Sequence, residues 1–225
     1  MKISVIGAGK TGSKVVEMLG DSLDQVFDGS NPPTVEKLKK SDAVIIFVPG
    51  DAVDNILDIV VESGVPAAWG STGYSWPEEL NQRVIDANSK WVIATNFSLG
   101  MNIIRKCIQA ISASSSILKN PLFKIHEVHH IHKKDAPSGT ALTWKEWLNK
   151  EAEITSAREG DVNGIHELRV TTETEELLLK HEAVDRSLFA EGAIWAAEQL
   201  ANNLTLSKGI HTFDVLFDQV TQEMK

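Results

Sequence analysis

A glycine run near the N-terminus limits the possible folds more than any other feature of the chain. Residues 2–20 read K-I-S-V-I-G-A-G-K-T-G-S-K-V-V-E-M-L-G. An apolar strand over Lys2–Ile6 enters Gly7-Ala8-Gly9-Lys10-Thr11-Gly12, and a helix follows with Val15, Val16 and Leu19 on one side. G-x-G-x-x-G between a strand and a helix suits a dinucleotide: the glycines permit a tight turn and let a diphosphate approach the helix N-terminus. The next short strand, Gln25–Phe27, ends at Asp28. An acidic residue about 20 positions past the first glycine is the expected acceptor for ribose hydroxyls. The plain alternative is a structural turn with a surface aspartate, and the pairing of the two features weighs against it.

Strand and helix then alternate. D-A-V-I-I-F-V at 42–48 is a continuous apolar run of the kind buried parallel strands show. Asp51 is expected to cap a helix burying Val53, Ile56, Leu57, Val60 and Val61. Val65–Trp69 is a strand leading into Gly70-Ser71-Thr72-Gly73, and Ser75-x-x-Glu78 reads as the capping box of another helix. Trp91–Thr95 is the next strand, followed by Asn96-Phe97-Ser98. The pattern predicts an α/β fold with a Rossmann-like, doubly wound parallel sheet, in which ligands bind past the carboxyl ends of the strands. Gly7–Gly12, Asp28, Gly70–Gly73 and Ala94–Phe97 all lie at such ends. Leu99–Leu118 reads as a long helix leading into a second, smaller α+β domain. There, Glu151–Asn163 is expected as an exposed polar stretch, Gly164–Val170 as a strand and Glu176–Val184 as its antiparallel partner.

The second informative stretch is E-V-H-H-I-H-K-K-D-A-P-S-G-T-A at 127–141. The chain has net charge −9, yet four of its seven histidines (His126, just before the stretch, and His129, His130 and His132 in it) fall within seven residues, beside Lys133 and Lys134. Histidine titrates near neutral pH and lysine beside other cations is lowered toward it, so both are candidate proton donors and carboxylate ligands. Phe123–Val128 reads as a strand with Phe123, Ile125 and Glu127 on one face. Thr140–Lys150 reads as a helix capped by Ser138 or Thr140, whose first free N–H groups, at Gly139 and Thr140, suit an anion. One alternative is a solvated basic loop with structural histidines. Another is a metal site built from His129, His130 and His132; adjacent strand residues face opposite ways and no cysteine cluster accompanies them, so no metal is expected. The acidic balance argues against nucleic acid or an anionic membrane as partner. The single cysteine, Cys107, fits a reducing compartment, and neither a signal-peptide pattern nor a membrane-length apolar run is present. A cytoplasmic protein is expected.

The 127–141 stretch closely resembles the signature of the dihydrodipicolinate reductases, also called 4-hydroxy-tetrahydrodipicolinate reductases, nicotinamide-dependent enzymes of lysine and diaminopimelate biosynthesis. G-S-T-G at 70–73 looks like their G-T-T-G, and N-F-S-L-G at 96–100 matches their N-F-S-x-G. G-I-H-E-L-R at 164–169 resembles their G-I-H-S-L-R, and F-A-E-G-A at 189–193 their F-A-x-G-A. The resemblance implies reduction of 4-hydroxy-tetrahydrodipicolinate by NAD(P)H with loss of water. It implies that Gly70, Ser71, Thr72, Ala94, Thr95, Asn96 and Phe97 hold the nicotinamide half of the cofactor. His129 and Lys133 become the proton donors; His130, Lys133, Gly139 and Thr140 hold the carboxylates of a small dicarboxylate substrate. Lys134 and His132 then only raise the local potential, Asp135 braces the turn, and His166 and Arg169 are structural or line the cleft. The implied domains are 1–98 with 186–225 for the dinucleotide and 99–185 for substrate and oligomerisation. Closure is expected around hinges near Ser98–Gly100 and Asp185–Ser187.

Two departures from the family's pattern stand out. The glycine loop is one residue shorter than usual. After Arg169 the chain has only V-T-T-E-T-E, where the family follows its arginine with a glycine-rich segment and G-E-H-x-V, so about a dozen residues are expected to be missing. The expected homo-oligomer, dimer or tetramer, would then have a smaller sheet interface. NADH is modestly favoured over NADPH: Gly29 and Ser30 follow Asp28 with no cation before Lys37, against which stand Lys10 in the loop and Lys14 one turn later. Two other classes remain open. Another nicotinamide oxidoreductase, such as an amino-acid dehydrogenase, would share the glycine loop but not the histidine–lysine stretch. A non-enzymatic dinucleotide sensor would keep the nucleotide loops and lose the proton donors.

Overall fold

The apolar runs of the first hundred residues assemble as parallel strands covered on both sides. The computed structural model describes residues 1–202 and 205–223, and the chain divides into two compact units, Met1–Leu99 with Ser187–Lys225 and Gly100–Arg186. In the first unit, β1 (Ile3–Ile6), β2 (Leu23–Phe27), β3 (Ala43–Ile46), β4 (Ala67–Trp69), β5 (Lys90–Ile93) and β10 (Gly209–Thr212) form one sheet in the order β2-β1-β3-β4-β5-β10. Every pairing in it is parallel.

Period-two alternation sends Val5, Ile45, Ala68 and Val92 to one face, where α1 (Gly12–Leu19), α7 (Ser187–Asn202) and α8 (Phe213–Glu223) cover them. Ile6, Val44, Ile46, Trp69 and Trp91 go to the other face, under α2 (Val35–Leu38), α3 (Asp54–Ser63) and α4 (Leu80–Asp86). Burial on both faces is why these strands read as unbroken apolar runs. The chain steps from β1 outward to β2 and then back past β1 to β3. That reversal opens a crevice at the carboxyl ends of β1 and β3, where ligands of such sheets bind.

Two local expectations fail. Residues 75–78 do not start a helix; α4 begins at Leu80. Pro77 disfavours helical backbone at Trp76, and the Trp76 ring packs instead on Trp69 and Tyr74, with centroids 5.2 and 5.0 Å away. Asp51 lies in a one-turn 3-10 segment, closed by Ala52 N–H donating to the Pro49 carbonyl at 3.0 Å, and α3 starts at Asp54 without a side-chain cap.

The second unit contains α5 (Leu99–Ser114) and a four-stranded sheet of β6 (Leu122–His129), β7 (Glu153–Arg158), β8 (Ile165–Thr171) and β9 (Glu176–Glu182), in the order β7-β6-β8-β9. The pairings β6–β8 and β8–β9 are antiparallel, whereas β6–β7 is parallel. A parallel neighbour needs a crossover, and α6 (Gly139–Leu148) supplies it. Ile125, Leu168 and Val170 of the sheet bury against Met101, Ile104 and Ile108 of α5 and Ala141, Trp144 and Leu148 of α6. The polar stretch expected at 151–163 is therefore corrected: its first half is strand β7. E-I-T-S-A-R is short and polar because it is a sheet edge, with Ile154 its only large apolar side chain, so it carries little apolar signal. The register of β6 and β7 sets Arg158 directly opposite His129.

Candidate active site

The chemistry-bearing residues fall in two sets, one in each unit. In the first unit, Gly7–Gly12, Asp28, Gly70–Thr72 and Ala94–Phe97 sit in four loops, after β1, β2, β4 and β5, all at the carboxyl edge of the sheet. Two loop glycines are demanded by the backbone. A Cβ on Gly7 would lie 2.3 Å from the Phe47 carbonyl oxygen, and one on Gly12 would lie 1.8 Å from that of Gly7. Gly9 differs, since a Cβ there would meet nothing within 4 Å. The loop thus opens to solvent where its backbone and the start of α1 could meet a diphosphate. Asp28 accepts from Ser30 N–H at 2.8 Å, Ser30 Oγ–H at 2.7 Å and Asn31 N–H at 3.0 Å, all on Oδ1, and these bonds hold its carboxyl below the usual range. Oδ2 takes part in none of them. Ser71 is buried, and its hydroxyl has no hydrogen-bond partner among the described residues. Asn96 accepts the Ser98 N–H at 2.8 Å and closes its own turn. An open glycine turn, a carboxylate with a spare oxygen and an orphaned buried hydroxyl together fit a dinucleotide.

The second set is built on the end of β6. Alternation puts Glu127 and His129 on the strand face that carries Ile125. Glu127 has no exposed surface and His129 is 8% exposed. Glu127 Oε2 bonds His129 Nδ1. The Arg158 guanidinium spans the same carboxylate, with Nη1 donating to Oε2 at 3.1 Å and Nη2 lying 3.0 Å from Oε1. It also donates from Nε to the Lys133 carbonyl at 3.3 Å, from Nη1 to the Ala157 carbonyl at 2.6 Å and from Nη2 to the Asp135 carbonyl. Ser138 N–H donates to Glu127 Oε1 at 3.3 Å, while Ser138 Oγ caps α6 and lies 3.2 Å from His166 Nε2. Of the two caps expected for α6, Ser138 is the one used. Gly139 and Thr140 open the helix, where N–H groups have no intrahelical acceptor, and a Cβ on Gly139 would meet nothing within 4 Å.

The loop between β6 and α6 carries Lys133, whose ammonium pairs with Asp135 Oδ1 at 2.9 Å. His130 places its ring beside that of His132, with centroids 6.2 Å apart, whereas His129 packs edge-on to His166 at 5.0 Å. His129, His130 and His132 are therefore not gathered around one point. Among the described residues, one group could offer ligand atoms to a cation: Glu127, His129 and His166, within 4.8 Å of one another. Both Glu127 oxygens there already carry Arg158, so a cation would have to displace a guanidinium.

Burial alone would raise the Glu127 carboxyl, but bonds from Arg158, Ser156 and His129 overcome it and hold it at about 2. Burial pushes His129 down, and Glu127 opposes that push. Burial, reinforced by His129, pushes His166 down to about 4. The site thus holds one fixed anion, one fixed guanidinium and two imidazoles whose charging is resisted by their surroundings.

The family model described as the C-terminus of dihydrodipicolinate reductase matches residues 100–216. A 4-hydroxy-tetrahydrodipicolinate reductase of Bdellovibrio bacteriovorus is 33% identical over 188 residues, covering 81% of this chain and 79% of its own length. One of Alkaliphilus metalliredigens is 34% identical over 204 residues, covering 79% and 82%. The chain belongs to the dihydrodipicolinate reductase family. The fold agrees with that of a dipicolinate-bound dihydrodipicolinate reductase from Paenisporosarcina sp. TG-14, with a TM-score of 0.76 over 94% of this chain and 97% of that one, at 19% identity.

Arg169 lies farther along β8, with a salt bridge to Glu176 on β9. Arg158, Glu127 and His166 are the site residues that motif reading undervalued. Glu127 did carry a signal, as an acid on the buried face of an apolar strand that must have a partner. Gly164 belongs with them: a Cβ there would come within 3.0 Å of His129 Nε2.

His166 gives the site a pH signature. Its folded value of about 4 lies below the 6.5 of an unperturbed imidazole. As pH falls from 6.5 toward 4, the unfolded chain takes up a proton that the folded one refuses, so stability drops through that window, by on the order of 3 kcal/mol for this group. His166→Gln keeps a polar partner for Ser138 and removes the titration. Thermal unfolding between pH 7 and 5 should show a shallower loss for the variant, and equal slopes would contradict the assignment.

Proposed function

We propose that the chain reduces 4-hydroxy-tetrahydrodipicolinate to tetrahydrodipicolinate with NAD(P)H and release of water, in lysine and diaminopimelate supply. Family membership gives the reaction. What ties it to this chain's own residues is the 129–140 loop, which bears an imidazole, an ammonium and the open start of a helix, held by one guanidinium.

In this reading the first unit is the dinucleotide-binding domain and the second binds substrate, with hinges near residues 98–100 and 185–187. Gly7–Gly12 and the start of α1 take the diphosphate, Asp28 the adenosine ribose, and the Gly70–Thr72 and Ala94–Phe97 loops the nicotinamide half. Bound NAD(P)H supplies the hydride. Gly139 and Thr140 N–H groups, His130 and Lys133 take the substrate's carboxylates. Negative charge builds on the ring during reduction, and a proton from Lys133 or His129 meets it. Gly164, lacking a side chain, leaves His129 Nε2 room to act while Nδ1 stays on Glu127. Lys133→Ala and His129→Ala should each lower kcat by about 10²–10⁴, the usual range for a positioned acid, with NADH binding near wild type. Wild-type turnover by Lys133→Ala would remove that residue from the mechanism.

NADH is the favoured cofactor in the same reading. Oδ2 of Asp28 suits a ribose hydroxyl and would repel a 2′-phosphate. Lys37, the first cation after Asp28, donates to Asn31 Oδ1 at 2.9 Å and the Pro32 carbonyl at 3.2 Å, and Lys14 pairs with Glu17 at 3.0 Å. Lys10 is exposed on the loop, a setting in which solvent screens its charge. A homo-oligomer in a cytoplasmic setting completes the proposal; a monomer by light scattering would count against it. Steady-state kcat/KM at one ionic strength should favour NADH several-fold. A tenfold advantage for NADPH, lost in Lys10→Ala, would show that Lys10 sets the choice.

A further inference from the structure

Arg158 lies in none of the motifs that identify the family's chemistry, yet it reaches Glu127 and the carbonyls of Lys133 and Asp135 from one side chain. A guanidinium has five N–H donors in a fixed fork. Here Nε donates to the Lys133 carbonyl, Nη1 to Glu127 Oε2 and the Ala157 carbonyl, and Nη2 to the Asp135 carbonyl, while Nη2 also pairs with Glu127 Oε1 at 3.0 Å. The Nη1 bond and the Nη2 ion pair fix the carboxylate that holds His129, and two bonds fix the backbone on either side of Lys134. The parallel register of β6 and β7 pairs His129 with Arg158, so the sheet itself delivers the fork to this place.

We propose that Arg158 is the positioning residue for proton delivery, aligning His129 through Glu127 and presenting Lys133 through the Lys133 and Asp135 carbonyls. In its activity half this rests on the reductase reading. Two consequences follow from the chemistry of the fork. A lysine at 158 would keep a positive charge beside Glu127, but its single nitrogen could not span acceptors that here sit on three separate guanidinium nitrogens. Among the described residues, Glu127 is the one anion facing His129. The other titratable groups that face it are cations or imidazoles: Arg158 on β7, His166 on β8 and Lys133 on the loop. Losing the Glu127 charge therefore makes the imidazole easier to deprotonate, and the pH limb that reports a protonated His129 moves down.

The test separates geometry from charge. Arg158→Lys should lower kcat about 10–100-fold, the scale of a misplaced catalytic group, leave KM for NADH near wild type, and leave the limb where it is. Glu127→Gln should lower kcat and shift the limb to lower pH. Wild-type kcat in Arg158→Lys, or a limb unmoved or raised in Glu127→Gln, would overturn the proposal. Nitrogen-15 NMR of the wild-type protein without substrate is the second measurement, and it needs neither folded variants nor turnover. It should show the neutral His129 proton on Nδ1, and separate, slowly exchanging Arg158 Nη resonances from a guanidinium that cannot rotate. A His129 proton on Nε2, or a single averaged Arg158 resonance, overturns it. If the spectra are as expected and the wild-type protein does not reduce the substrate, the function reading fails and the positioning geometry stands.

Discussion

The second unit is organised around a carboxylate with no exposed surface. Removing an ion from water costs several kcal/mol even after relaxation, and only a close partner with good geometry offsets it. Glu127 has such a partner in Arg158, together with Ser138 N–H and the His129 ring. The dependence runs both ways. Arg158 is 81% buried by its side chain and would be as costly without Glu127. Taking away one member of such a pair destabilises by about 3–5 kcal/mol, far more than an exposed ion pair contributes. The strand end, the loop and the start of α6 meet at this one interaction, so the shape of the loop follows from it.

The same pair sets the electrostatics of the site. A chain of net charge −9 presents a local concentration of lysine and histidine at 129–134, next to the start of α6, whose first N–H groups have no intrahelical acceptor. The fixed anion in the middle is already neutralised by Arg158, so it does not cancel the field of that cluster. Burial opposes extra positive charge on His129 and His166, and leaves the lysines to provide the standing cations.

Much of this was legible in the residues alone, for identifiable reasons. Gly7 and Gly12 are where a backbone carbonyl occupies the space of a Cβ, and such a requirement shows directly as glycine. The strands of the first sheet are buried on both faces and so read as apolar runs. The 127–141 stretch showed its chemistry through composition, because histidine and lysine are rarely so dense by chance. Strand β7 did not show, because a polar edge strand satisfies its backbone through β6 and needs few apolar side chains. Arg158 was missed with it, since its partners lie 25 and 31 residues back in the chain. The capping box at 75–78 misled because local capping chemistry lost to Pro77 and to the packing of the Trp76 ring on Trp69.

A crystal structure with NADH and pyridine-2,6-dicarboxylate, a planar analogue of the substrate, tests the central claim most directly. The account predicts a ligand carboxylate on the Gly139 and Thr140 N–H groups, with the Lys133 ammonium turned from Asp135 to the ligand and Arg158 still spanning Glu127. A ligand bound away from the start of α6, or an Arg158 that has left Glu127 to hold the ligand itself, would contradict it.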